Sequence, residues 1–117
     1  MQPEVRTYLF DIRKACDLIL QFTAHKEFSD YEKDVLFRSA VERQFEIVGE
    51  AMSQMLKLEP SLGGRITNTR QIIAFRNILV HAYAQVKNQV VWGVIQSDLP
   101  MLRAEVDQLL KEGEPPE

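Results

Sequence analysis

Apolar side chains return at every third or fourth position through every long segment of the chain, and no stretch alternates long enough to read as a strand. That period restricts the chain to helix packing on helix. Between Pro3 and about Ala24 the stripe is Val5, Tyr8, Ile12, Ala15, Cys16, Ile19 and Phe22, with Pro3 suited to a first helical turn. A polar connection, His25 to Asp30, follows. Ser29 and Glu32 have capping-box spacing and open a long second helix to about Leu58. Its stripe of Phe37, Val41, Phe45, Val48, Met52 and Met55 is close to a heptad seam. Pro60, Ser61, Gly63 and Gly64 break the pattern. A third helix is expected from an Asn68 N-cap through Ile72, Phe75, Leu79 and Ala82. A fourth helical region covers about Asn88 to Lys111; at Pro100 either Asp98 caps a new helix or the helix kinks. The expected fold is all-α, a bundle of four to five antiparallel helices over residues 1–112, with a polar, disordered tail at 113–117.

A chain of 117 residues, 45% hydrophobic and 26% charged, has room for one core and too much apolar content for disorder. No apolar run approaches the ~18 residues of a membrane span, so no membrane partner is expected. The first residues lack the basic and apolar regions of a signal peptide. One cysteine, Cys16, cannot form an internal disulfide, which suits a cytoplasmic setting; its place on an apolar stripe makes it core filler. The net charge of −3 argues against a protein that coats duplex nucleic acid. Its distribution is uneven. Between Pro60 and Ser97 there is no Asp or Glu, and Arg65, Arg70, Arg76 and Lys87 make that window +4 on a remainder of −7. Such an island is either a phosphate site or a chance cluster on a solvated face.

The island contains one compact group of chemically capable side chains. On a helical wheel, Phe75, Ile78, Leu79 and Ala82 form a core face that Arg76, Asn77, His81 and Tyr83 avoid. Asn77 and His81 are four apart, so the amide can orient the imidazole. Ile73 and Val80 interrupt the polar side, as expected of a face that meets another protein surface, such as its own copy across a two-fold axis. An imidazole can take a proton from a ribose 2′-hydroxyl or return one to a leaving 5′-oxygen, and an arginine can clamp the phosphate between them. One helix supplies one histidine; two opposed copies supply a base and an acid.

The run Arg76-Asn77-Ile78-Leu79-Val80-His81-Ala82-Tyr83 resembles the R-x4-H-x-Y motif of the HepT family, minimal HEPN-domain toxins of prokaryotic toxin–antitoxin pairs. Ile47-Val48-Gly49-Glu50-Ala51 is similar to the I-x-G-E-A signature of that family's long helix. Val91-Trp92, Ile95, Asp98-Leu99-Pro100 and Leu102 are similar to its last helical region. The likeness covers about Val5 to Leu110. It implies a HEPN-like bundle that forms a homodimer, with a composite cleft cleaving RNA without metal or other cofactor and leaving a 2′,3′-cyclic phosphate. By position it gives Arg76 the phosphate, His81 general acid–base work and Asn77 a supporting role. It also implies a partner, an antitoxin nucleotidyltransferase of the MntA kind, that AMPylates Tyr83. Bulky phosphates beside the cleft would repel an RNA substrate, messenger or transfer. Arg65, Arg70 and Lys87 are further candidates for RNA contact, and Ile73 and Val80 for the dimer interface. The rival reading is a non-catalytic helical adaptor that serves the nucleotidyltransferase.

Other residues read more plainly. His25 is a surface histidine, and two histidines with one distant cysteine have no metal-ligand spacing. Glu42, Glu46 and Glu50, with Arg43, make a charge-laced helix face. Glu50 belongs also to the family signature, and either binds a backbone group or pairs with Arg76 or Arg70. Trp92 is a packing anchor or a base-stacking platform.

Overall fold

A computed structural model describes residues 1–114. Six α-helices follow one another: α1 Pro3–Thr23, α2 Phe28–Lys33, α3 Val35–Leu58, α4 Thr69–His81, α5 Asn88–Gln96 and α6 Asp98–Glu112. Two 3-10 turns, Pro60–Gly64 and Tyr83–Gln85, flank α4. The all-α class is as expected, and no strand occurs among the described residues. The bundle measures 47 × 29 × 19 Å.

The core follows the stripes, except that in α1 Leu9 is buried while Tyr8 and Phe22 are only half-buried. Val5, Leu9, Ile12, Cys16 and Ile19 of α1 meet Val41, Val48, Met52 and Met55 of α3, and Leu99, Val106, Leu109 and Leu110 of α6 close over them, all buried. Each such aliphatic side chain taken fully out of water is worth about 1.5–3 kcal/mol. Cys16 is part of this core. Burial, with Asp17 beside it, pushes its thiol up to about 12, as befits an unreactive filler. Ion pairs lace the outer seam of α1 and α6: Arg13–Asp107 at 3.1 Å and Arg103–Asp17 at 2.9 Å.

The helix count rises from the expected four or five to six for two local reasons. The long second helix breaks at Asp34, whose extended backbone lets its carboxylate accept from the N–H groups of Leu36 and Phe37 and so cap α3. The cap that opens α2 is not the Ser29–Glu32 pair: Asp30 Oδ2 accepts the Glu27 N–H at 2.8 Å. Arg38 reaches back to the carbonyls of Tyr31 and Glu32, which the break leaves without helical partners. At the second break α5 stops at Gln96 and α6 starts at Asp98 with Pro100 in its first turn. Of the two possibilities at Pro100 the new helix is therefore the one found, with Ser97 rather than Asp98 at the N-cap position.

Trp92 is a packing anchor: it stands in an aromatic cluster with Phe28, Tyr31 and Phe37 that joins α2, α3 and α5. No helix among the described residues is long and apolar enough to cross a membrane. Of the tail expected beyond residue 112, Gly113 donates its N–H to Leu109 and lies against Arg6, and residues 115–117 lie outside the described residues.

Candidate active site

The helix carrying the Arg76–Tyr83 run is set up by its approach. Ile66 is buried, and Glu105 of α6 accepts both the Thr67 N–H, at 3.1 Å, and the Thr67 hydroxyl, at 2.8 Å. Asn68 follows in the left-handed region, φ 61°, and makes no side-chain cap bond. The position is the N-cap, as read from the sequence, but its backbone rather than its amide starts the helix. From there α4 packs chiefly against α3. Leu79 alone is fully buried; Ile72, Ile73 and Phe75 are half-buried, with the Phe75 ring edge-on to Phe45 at 5.3 Å.

Arg76 sits where α4 comes closest to α3. A Cβ at Gly49 would lie 2.2 Å from Arg76 Cβ and 2.7 Å from its Cγ. Only a hydrogen fits there, so the glycine in the middle of α3 is what admits the arginine stem. The guanidinium is then held from both sides. Its Nη2 is 2.9 Å from Glu50 Oε2, and its Nη1 donates to Asn77 Oδ1 at 2.9 Å. Glu50 Oε1 accepts from Gln54 Nε2 at 3.1 Å, which extends the chain of contacts one turn along α3. The inner N–H, on Nε, is buried and has no partner among the described residues. An orphaned buried donor costs about 1–3 kcal/mol.

These contacts decide several expectations. Glu50 pairs with Arg76, not with Arg70 or a backbone group. Asn77 accepts from the adjacent Arg76 guanidinium through its amide oxygen, and it makes no hydrogen bond to His81 among the described residues. His81 is the last residue of α4, exposed, and about 7.5 Å from Arg76 along the axis by helical rise. Tyr83 does not share the α4 wheel: the helix ends with the Ala82 N–H on the Ile78 carbonyl, and Tyr83 opens the 3-10 turn, 75% exposed. Ile78, assigned to the core face, is 41% exposed, because α4 packs chiefly against α3 and that side of it is only partly covered. Of the two candidate interface residues Val80 is 39% exposed, whereas Ile73 is half-buried against the core.

The basic island is not continuous. Arg65 is tied to Glu112 at 2.5 Å and Arg76 to Glu50, both carboxylates lying outside the acid-free window, while Arg70 and Lys87 are exposed. A pocket of about 220 Å³ beside Arg76, between α1, α3 and α4, is bordered by Tyr8, Asp11, Arg43, Glu46, Glu50 and Val80. Of the glutamates read as a solvated face, Glu46 and Glu50 therefore belong to the site's surroundings. A second groove, of about 230 Å³ and mostly apolar, runs along Phe45, Ile72, Phe75 and Leu102 and includes none of Arg76, His81 or Tyr83. The sequence placed Gly49 in the I-x-G-E-A signature without a physical role, and gave no notice to Gln54. A glycine inside an otherwise regular helical stripe was the available signal for the first; the second had none beyond its i+4 spacing from Glu50.

Comparison with known proteins agrees with the layout. The family model described as ribonuclease HepT-like matches residues 12–109. A protein of Thermococcus cleftensis named "Probable ribonuclease HepT" is 32% identical over 115 residues, spanning 95% of this chain and 100% of its own length. A Methanocaldococcus jannaschii protein named "Putative RNase" is 26% identical over 106 residues, 89% of this chain and 94% of the relative. One of the same description from Caldanaerobacter subterraneus is 27% identical over 106 residues, 91% and 94%. No solved structure gives a significant match. The chain belongs to the HepT-like ribonuclease family.

Proposed function

We propose that this protein is a metal-independent endoribonuclease of the toxin type, acting as a homodimer whose two copies of α4 form one cleft. One observation carries the reading: on a single short helix a braced Arg76 guanidinium precedes an exposed His81 by little more than one turn. Arg76 binds a non-bridging phosphate oxygen and holds the charge that grows in the pentacoordinate state. His81 of one copy takes the proton from the 2′-hydroxyl as its oxygen attacks phosphorus. His81 of the other gives a proton to the departing 5′-oxygen, leaving a 2′,3′-cyclic phosphate and a 5′-hydroxyl. Asn77 keeps the guanidinium in place. Arg70 and Lys87, exposed and basic, extend the RNA contact, and Arg65 does so once its carboxylate partner yields.

The exposed apolar side chains on α4, Ile78 and Val80, support the dimer. In one protomer the adjoining pocket has the carboxylates of Asp11, Glu46 and Glu50 against the guanidiniums of Arg43 and Arg76, a poor anion site by itself. A second copy brings its own Arg76 and His81 to the substrate, and Val80 with Ile78 supplies the apolar contact. Tyr83, prominent on the turn just beyond His81, is the residue that a partner nucleotidyltransferase of the MntA kind AMPylates to switch the enzyme off.

The test is to incubate the purified protein and its His81→Ala variant with total and transfer RNA in excess EDTA and to map the product ends. Cyclic-phosphate ends from the wild type alone are expected. Absence of cleavage by protein unmodified at Tyr83 would favour the adaptor reading, and activity lost only to EDTA would remove the metal-free mechanism.

A further inference from the structure

The nuclease reading gives Arg76 its task but leaves open why a carboxylate stands against it. Glu50 is half-exposed, and a pair so placed adds little to stability. A negative group beside a phosphate-binding arginine also weakens the attraction for an anionic substrate. Its location is nevertheless tightly specified. Gln54 holds Oε1 of Glu50 at 3.1 Å while Oε2 meets Arg76, and the neighbouring Gly49 brings α3 close enough for the carboxylate to reach. Asn77 holds the other terminal nitrogen. Each terminal nitrogen of a guanidinium has a second N–H, so the two contacts fix the plane of the fork and leave a donor on each tip.

We propose that Glu50 is a positioning residue for Arg76, itself aimed by Gln54 and brought within reach by the Gly49 contact, and that it trades substrate affinity for a fixed guanidinium. The proposal rests on the nuclease reading of Arg76. A fixed fork matches the phosphate best in the transition state, whereas a loose one still attracts the ground-state anion. Loss of Glu50 therefore acts on kcat and spares KM.

The experiment compares wild type, Glu50→Ala, Glu50→Gln and Arg76→Ala, singly and in combination, by steady-state RNA cleavage. Alongside it, NMR follows the Arg76 guanidinium N–H resonances of the free protein. Glu50→Ala is expected to lower kcat on the order of ten- to a hundredfold with KM unchanged or lower. Glu50→Gln, which keeps an acceptor oxygen, should recover most of the loss. In an Arg76→Ala background Glu50→Ala should add nothing, and the separate guanidinium resonances of the wild type should merge in Glu50→Ala. Wild-type kcat in Glu50→Ala, an equal loss in the Arg76→Ala background, or unaltered guanidinium resonances would overturn the proposal and leave the nuclease standing. A wild type that cuts no RNA would overturn both.

Discussion

Two helices of this bundle, α1 and α4, make opposite use of their side chains. In α1 six of 21 residues are fully buried and form one continuous stripe; in α4, of 13 residues, only Leu79 is. Both have amphipathic sequences. The difference is in what covers them: α1 lies under α3 and α6, whereas α4 has α3 on one side and keeps Ile78 and Val80 open. The first helix is made to hold the fold. The second is held by the fold, through Gly49, Phe45 and the clamp on Thr67, so its remaining surface is available for substrate and partner.

The contrast can be broken by substitution, starting with the largest effect. His81→Ala should cut RNA cleavage by about 10²–10⁴-fold, the usual worth of a general acid–base, without lowering the melting temperature. A matching fall in melting temperature would mean that α4 is structural after all. Leu9→Ala, in α1, should do the converse, costing about 2–5 kcal/mol in denaturant unfolding while the folded fraction retains its specific activity. Val80→Asp should shift sedimentation from dimer to monomer and abolish cleavage with the fold intact, since a carboxylate loses water at a close apolar contact; an unchanged profile would move the interface off this face. The smallest effect is on the exposed face of α5. At Gly93 of α5 a Cβ meets nothing within 4 Å, so Gly93→Ala should raise stability by about 0.5–1 kcal/mol and leave cleavage alone.

The buried half of this picture was legible in the sequence because burial and period coincide. The stripes of Val5 to Ile19 and Val41 to Met55 are the core, and the Arg76–His81 segment lies on one helix, as the spacing required. What escaped depends on distant partners. A wheel assumes neighbours on the whole apolar side, so it buried Ile78, which is only partly covered. It also carried Tyr83 round a helix that ends at His81. Asp34 sits inside an unbroken run of helical residues, and only its cap bonds reveal the division of α2 from α3. The pairing of Glu50 with Arg76 was one of three possibilities that the sequence left open, because it joins residues 26 positions apart.

The two contacts that secure the segment before α4, Glu105 on Thr67 and Glu112 on Arg65, both come from α6. On the ribosome α6 emerges after α4, since a domain's N-terminal elements appear first. While α6 is still being made, the leading end of α4 lacks both of these contacts. The helix that carries Arg76 and His81 is therefore anchored by the part of the chain made last, and its start is secured only when α6 is in place.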